Sequence, residues 1–303
     1  MLAWVPTQRL ADELAGAEGV SVEVVVPGGG PLPPSAGSVE FYVPPFFPTA
    51  ESIAVISALP ALRVVQTMTA GVDRLLPHIR PGVLLCNARG VHDASTAEWV
   101  MAAILAAVRD IPRFAAEQAA RRWSYAPTDC LAGKTVLIVG YGSIGAAVER
   151  RLAGFEVEVL RVARTARPGV SPVSDLPAVL PSADVVVLLA PVTPETIGMI
   201  DAGVLGRMRD GALLVNAARG SLVVTEALRA ELESGRLRAV LDVTDPEPLP
   251  PDHPLWSAPG LLITPHVAAS TPYSASTAAA FVRAQVLRYR DRQPLDNVIS
   301  GPY

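Results

Sequence analysis

The run Gly133-Lys-Thr-Val-Leu-Ile-Val-Gly140, continued at once by Tyr-Gly142-Ser-Ile-Gly145, constrains this chain more than any other segment. Thr135 to Val139 read as a buried strand, and the glycine turn opens the helical pattern SIGAAVERRLAG. A strand that hands over to a helix through GxGxxG has a mechanical meaning: the helix N-terminus is brought up to a phosphate. Gly140 permits the tight turn, Gly142 lets the backbone approach a pyrophosphate, and Gly145 lets helix and strand pack closely. The first N–H groups of the helix, those of Ser143, Ile144 and Gly145, begin without intrahelical partners and suit an anion. A vestigial glycine turn would look the same in isolation, but the strand before it and the helix after it favour a bound dinucleotide.

Strands alternate with helices over most of the chain. The first hundred residues hold the strand candidates LAWVP, VSVEVVVP, VEFYVP, LRVVQTM and VLLCN, with helical patterns from Thr7 to Ala17 and Thr49 to Leu59 and no glycine fingerprint. From Gly133 on, strands recur at TVLIV, VEVLRVA, DVVVLLAP, ALLVNAA, LRAVLDV and LLITPH. This alternation predicts α/β architecture: two doubly wound parallel-sheet domains, the second a Rossmann dinucleotide-binding domain. Ser95-Thr-Ala-Glu98 marks the boundary, its serine and glutamate having the spacing of a capping box that opens a helix through Val108.

Three strands after the glycine loop end in groups of complementary acid–base character: VNAARG in Arg219, DVTDPEP in Glu247 and LLITPH in His266. A guanidinium forks onto a carboxylate and polarises the adjacent ketone oxygen. An imidazolium donates the proton that turns a developing alkoxide into an alcohol, and a carboxylate beside it favours the charged form. Such a trio suits reversible hydride transfer to a 2-oxo acid. Plainer readings stand beside it: Arg219 as a helix cap, Glu247 as a loop carboxylate with Asp245 as its rival, and His266 as a structural histidine like His92 or His253. After VEVLRVA, where an NAD enzyme usually carries Asp or Glu for the ribose 2′-hydroxyl, stand Ala163, Arg164 and Thr165, with Arg167 close behind. Arginine and a hydroxyl suit a 2′-phosphate, so NADP(H) is expected; a merely solvated basic loop would leave NAD(H) as the cofactor.

With these motifs in this order, the chain resembles the D-isomer-specific 2-hydroxyacid dehydrogenases from about Leu62 to Val298, and the glyoxylate/hydroxypyruvate reductases in particular. The resemblance implies a formate/glycerate dehydrogenase-like fold in which the helical run to Arg290 returns to the first domain. The domains expected are then residues 1–94 completed by 271–303, and residues 95–270. It implies Arg219 as the residue that binds and polarises substrate and His266 as acid and base, and the spacing DVxxxEP selects Glu247 as the partner of His266. It further implies cofactor contacts from Thr96 in STAE, from Ala190, Pro191 and Thr196 in LLAPVTPET, and from Ala217, Ala218, Arg219, His266 and Ala268, with Asp242 holding the nicotinamide carboxamide. For the substrate carboxylate it points to backbone N–H groups of Gly71 and of Val72 or Ala70 in TAGVD. Pro44-Pro45-Phe46-Phe47 is either an apolar substrate wall or a packing corner. The implied activity is reduction of glyoxylate, hydroxypyruvate or a related 2-oxo acid to the D-2-hydroxy acid. The alternatives are a dehydrogenase for phosphite or formate, or a dinucleotide-sensing, corepressor-like binding protein. Glu247 argues for hydroxy acids, and a phosphoglycerate dehydrogenase with a regulatory tail is not expected.

Half of the residues are hydrophobic and 18% are charged, which is ample material for two cores. A net charge of −4 gives no reason to expect nucleic acid or an anionic membrane as partner. The longest apolar run, Trp99 to Val108, is too short to span a bilayer, and MLAWVPTQRLADELAG lacks the basic and apolar regions of a secretory signal. Cys86 and Cys130 have no metal-like spacing and fit a reduced, cytoplasmic setting, with no metal expected. The apolar helix Glu98 to Val108 and the segment after it are the expected interface of a homodimer, the state the resemblance implies.

Overall fold

The computed structural model describes residues 1–300; the end of the expected return segment, residues 301–303, lies outside the described residues. The chain divides into two compact units, one of Met1–His92 with the segment from Pro272 onward, the other Asp93–Thr271. The sequence reading sets these junctions after residues 94 and 270; the contacts divide the chain after His92 and Thr271.

The first unit comprises β1 (Leu2–Val5), α1 (Gln8–Glu13), β2 (Ser21–Val24), β3 (Val39–Tyr42), α2 (Ala50–Ala54), β4 (Val64–Gln66), β5 (Leu84–Cys86) and a C-terminal helix, Pro272–Arg290. Its strands lie in the order β2-β1-β3-β4-β5 and are parallel throughout. Thr7 and Thr49 cap the two short helices, their hydroxyls accepting the N–H groups of Leu10 and Ser52 at 3.4 and 3.2 Å. Both helices end sooner than the periodicity predicts: the first gives way to turns after Glu13, and the second tightens into a 3-10 turn at Val55–Ala58. Alternate residues of each strand point to opposite faces, and here both faces are apolar. Trp4, Tyr42 and Val65 pack with Ile53, Ile56 and Leu59 on one side. Ala3, Val5, Phe41 and Val64 pack with Leu10, Leu14 and the helix residues Ala279, Val282 and Val286 on the other. Beyond that helix the chain comes back to the sheet edge, where Val298 bridges Cys86 in antiparallel sense.

The second unit comprises α3 (Asp93–Val108), α4 (Ile111–Ala119), β6 (Thr135–Val139), α5 (Ser143–Leu152), β7 (Glu158–Ala163), β8 (Ser171–Pro172), α6 (Leu176–Val179), β9 (Val185–Leu188), α7 (Ala202–Leu205), β10 (Leu213–Asn216), α8 (Thr225–Glu233), β11 (Arg238–Leu241) and β12 (Leu261–Ile263). The all-parallel order is β12-β11-β10-β9-β6-β7-β8. Six of these strands carry the predicted apolar runs; β8 is two residues long and pairs with β7 after the chain doubles back between Arg167 and Val170. The order reverses between β6 and β9, the topological switch point at which doubly wound sheets bind ligands beyond their strand C-termini.

One expectation about α3 needs correction. The helix begins at Asp93, so Ser95 lies within its first turn, and its hydroxyl sits 2.7 Å from that of Thr271. The expected interface on α3 has a buried and a partly exposed side: Val100, Met101, Ile104 and Val108 are core residues of its own unit, while Trp99, Leu105 and Ala107 are only partly buried. The exposed apolar groups follow it. No residue of α4 is buried, and Trp123 and Tyr125 are 100% and 89% exposed.

Candidate active site

The glycine loop joins β6 to α5 beside the loop that follows β9. Gly140 has φ +94°, and a Cβ there would stand 2.2 Å from the backbone nitrogen of Ala190, so glycine is required twice over, for conformation and for space. A Cβ on Gly145 would press to 3.2 Å against Ile138 and Tyr141, the close helix–strand packing expected of it. Gly142 differs: a Cβ there would meet no protein atom within 4 Å. It is also the N-cap residue of α5 and makes no side-chain cap, leaving the N–H groups at Ser143 and Ile144 without that partner. The Ser143 hydroxyl is turned to Asp93, 3.0 Å away. A backbone cradle at a helix N-terminus, open on the side where its middle glycine lacks a side chain, fits the pyrophosphate of a dinucleotide.

Around this cradle the other expected cofactor residues take definite places. Ala163 ends β7, and Arg164 and Thr165 follow it exposed. In the loop after β9, Ala190 is buried and Pro191 exposed. Thr196 closes that loop, its hydroxyl accepting the N–H of Thr193 at 2.7 Å and donating to Pro191 O at 2.8 Å. Glu195 is held below its ordinary carboxylate range chiefly by the Thr193 hydroxyl and the Glu195 backbone, with the Arg164 charge adding to the effect, so Arg164 lies toward this loop. Thr96 is buried in α3.

Arg219, Glu247 and His266 follow β10, β11 and β12, three consecutive neighbours in the sheet. Asn216, fully buried at the end of β10, shapes the arginine turn: it accepts the Ala218 N–H at 3.0 Å and donates to Arg219 O at 2.9 Å. Gly220 then lies flat against the next loop, where a Cβ would fall 2.0 Å from Thr244 O. That loop is tied down as well, with Asp245 O accepting from the Thr225 hydroxyl and Pro246 O from the Thr244 hydroxyl, both at 2.8 Å. It brings Glu247 Oε1 to 2.6 Å from His266 Nδ1, which selects Glu247 over Asp245 as the histidine's partner. His253 is instead a structural cap that accepts the Leu255 N–H.

His266 has φ +55°, a left-handed conformation that costs a non-glycine residue about 1–3 kcal/mol. Asp242, 2% exposed at the end of β11, holds it there. Its backbone oxygen accepts the His266 N–H at 2.7 Å. Its carboxylate accepts the Thr264 hydroxyl at 2.5 Å and the N–H groups of Val267 and Ala268 at 2.9 and 2.8 Å. The sequence reading marks Asp242 and Ala268 only as cofactor contacts; bracing of the His266 turn is a role it misses. It also misses a cluster on the glycine loop. The Tyr141 hydroxyl donates to Glu149, which pairs with Arg161 on β7, while Arg167 donates to Tyr141 O. Hydrogen bonds from Arg161 are the main cause of a lowered Glu149 pKa.

Ala70, Gly71 and Val72 belong to the first unit, in the loop after β4. The Thr67 hydroxyl donates to Thr69 O at 2.7 Å, that of Thr69 to Gly71 O at 2.9 Å, and the Asn87 amide to Ala70 O at 2.8 Å. Side chains thus engage the loop's carbonyls, the groups that would repel an anion. In the same unit Phe46 packs edge-on against Phe47 and His92, with ring centroids 5.0 and 5.6 Å away, while Phe47 stays 55% exposed. His92 Nε2 lies 2.6 Å from Met68 O, a structural contact.

Residues 101–268 match the family model described as D-isomer specific 2-hydroxyacid dehydrogenase, NAD binding domain. The chain is 33% identical over 260 residues to D-3-phosphoglycerate dehydrogenase of Archaeoglobus fulgidus, covering 82% of this chain and 49% of that protein. With glyoxylate reductase of Thermofilum pendens it shares 34% identity, covering 72% of this chain and 68% of the relative. The chain thus spans about half the length of the phosphoglycerate dehydrogenases it matches. Among solved structures, a D-isomer specific 2-hydroxyacid dehydrogenase from Xanthobacter autotrophicus Py2 in complex with NADPH and MES superposes with a TM-score of 0.84 at 30% identity, covering 99% of this chain and 97% of the other.

Proposed function

The chain belongs to the D-isomer specific 2-hydroxyacid dehydrogenases, and we propose that it acts as an NADPH-dependent reductase of a small 2-oxo acid such as glyoxylate or hydroxypyruvate, yielding the D-2-hydroxy acid. The observation that carries this reading is the His266–Glu247 pair at 2.6 Å, held beside the turn that presents Arg219. Arg219 forks onto the substrate carboxylate and polarises the C2 carbonyl. In the first unit, backbone N–H groups of Gly71 and of Val72 or Ala70 suit a substrate carboxylate. With Nδ1 directed to Glu247, His266 uses Nε2 to give its proton to the C2 oxygen as that oxygen becomes negative, and Glu247 stabilises the imidazolium beforehand. The reduced nicotinamide, when bound, supplies the hydride to C2. In the oxidative direction neutral His266 takes the hydroxyl proton back.

The NADPH preference rests on Ala163, Arg164 and Thr165, where a carboxylate would repel a 2′-phosphate and an arginine attracts one; the Xanthobacter relative was solved with NADPH. Steady-state rates over a panel of 2-oxo acids, each with NADPH and NADH, test the proposal. Tight dinucleotide binding with no turnover on any member would instead identify a dinucleotide-sensing binding protein. The exposed side chains of Trp123 and Tyr125, after a helix with no fully buried residue, support a homodimer built on this segment. Trp123→Ala with Tyr125→Ala is then expected to turn a dimer into a monomer by light scattering at micromolar concentration.

A further inference from the structure

Inside the first unit lie two primary amides with no exposure at all, Gln66 at the end of β4 and Gln285 in the C-terminal helix. Burial of an amide is costly unless its donors and acceptors are matched, and here they are. Gln285 Nε2 donates to Gln66 Oε1 at 2.9 Å and to Asp296 O at 2.8 Å, and the Asp296 N–H donates to the Gln285 side chain at 3.0 Å. Gln66 Nε2 donates onward to Thr67 O at 2.8 Å and Asn87 O at 3.3 Å. Apolar side chains of the same size would fill this space without polar bookkeeping; a fully satisfied polar network specifies a single arrangement of its backbone. The arrangement it specifies is that of Thr67 and Asn87, the two residues whose side chains hold Thr69 O and Ala70 O. A continuous path of hydrogen bonds therefore runs from the C-terminal helix to the peptide units of the loop after β4.

We infer that Gln66 and Gln285 are positioning residues for the substrate: the buried amide pair keeps the N–H groups of residues 70–72 in the conformation that receives the 2-oxo acid carboxylate. The inference rests on the reading of that loop as the carboxylate site. Neither amide touches substrate. Their polarity acts through Thr67 and Asn87.

The test uses Gln66→Leu, Gln285→Leu and the double variant of the full chain. Each single change strands a buried polar group and lowers the melting temperature; removing both partners together relieves the share due to the Gln66–Gln285 bond, while the backbone groups of Thr67, Asn87 and Asp296 stay without their amide partners. Hydrogen exchange of peptides covering residues 67–72 and the KM values for 2-oxo acid and NADPH are measured side by side. In the double variant, exchange at 67–72 accelerates while β1 and β3 keep their protection. The KM for the 2-oxo acid rises about tenfold, the loss of roughly one hydrogen bond, and the KM for NADPH changes by less than about twofold. A folded double variant with unchanged exchange at 67–72, or an unchanged KM for the 2-oxo acid, overturns the inference. So does a KM that recovers along with the melting temperature, the mark of a merely structural role. If the leucine variants do not fold, Gln285→Asn, one methylene shorter, must produce the same two effects. An unmodified protein that reduces no 2-oxo acid defeats the reading of the site instead, and exchange at 67–72 alone then decides whether the coupling exists.

Discussion

A single methyl group at position 220 is expected to separate two loops of the proposed active site at once. A Cβ on Gly220 would stand 2.0 Å from Thr244 O, 2.1 Å from Thr244 C and 2.6 Å from Asp245 N, and all three are backbone atoms that cannot swing aside. Relief to ordinary contact requires the loops to part by on the order of 1 Å, a displacement that costs about 100-fold when it falls on catalytic groups. One loop presents Arg219 and the other Glu247, which sets His266. Gly220→Ala should therefore lower kcat/KM for 2-oxo acid reduction about 100-fold, with a stability loss of about 1–3 kcal/mol from overpacking. Dinucleotide affinity, measured by quenching of tryptophan fluorescence, should fall less than kcat/KM, since the pyrophosphate cradle at Gly140–Gly145 is untouched while the expected contacts at Ala217, Ala218 and Arg219 adjoin the change. Gly154→Ala is the matched control, because a Cβ there meets nothing within 4 Å. A kcat/KM for Gly220→Ala within about threefold of the unmodified protein would refute the claim that this contact sets the geometry.

His266→Ala should lower kcat for reduction by about 10²–10⁴-fold in stopped-flow single turnovers, whereas Arg219→Ala should also raise the KM for the 2-oxo acid. Arg164→Ala should remove a preference for NADPH over NADH of about 10- to 150-fold, the equivalent of one charge-assisted hydrogen bond of about 1.5–3 kcal/mol, read as a ratio of kcat/KM values. Glu149 is an acid whose pKa is lowered in the folded protein from its ordinary 4.5 by Arg161, so the stability it confers is present above that value and lost as pH falls through the lower, folded one. Chemical denaturation at a series of pH values should show Glu149→Gln less stable than the unmodified protein near neutrality, the two converging in acid.

Much of this architecture is legible in the sequence because it rests on local pattern. The runs TVLIV, DVVVLLAP and ALLVNAA become adjacent strands β6, β9 and β10, since a strand buried on both faces must be apolar throughout. Gly142 and Gly145 are legible for the same reason, their work being done within one βα turn; Gly140 is legible as the turn glycine, though not its contact with Ala190 in the loop after β9. What depends on distant partners is hidden. Nothing near Asp242 in sequence discloses that its carboxylate receives N–H groups from Val267 and Ala268, about 25 residues on. Gly220 is likewise silent until Thr244 is placed against it. Ser95 and Glu98 have capping-box spacing yet lie inside a helix that starts at Asp93, because a local signal was overridden by the backbone entering the unit earlier. The apolar character of α3 is legible as well, but composition cannot distinguish a face that meets α5, such as that of Val100 and Ile104, from one that meets a partner.

The first unit is discontinuous, and this has a consequence in time. Its sheet is synthesised from residues 1–92, but the helix whose Ala279, Val282 and Val286 cover one face of it comes only after Pro272, with the whole second unit in between. The second unit is continuous in sequence and can complete its core as it leaves the ribosome. Until translation reaches the end of that helix, Val5, Phe41 and Val64 lack their cover, and the β5 edge lacks the Cys86–Val298 bridge that closes it. A nascent chain stalled before Pro272 therefore carries one finished unit and one sticky half-built sheet, the form on which a chaperone would act.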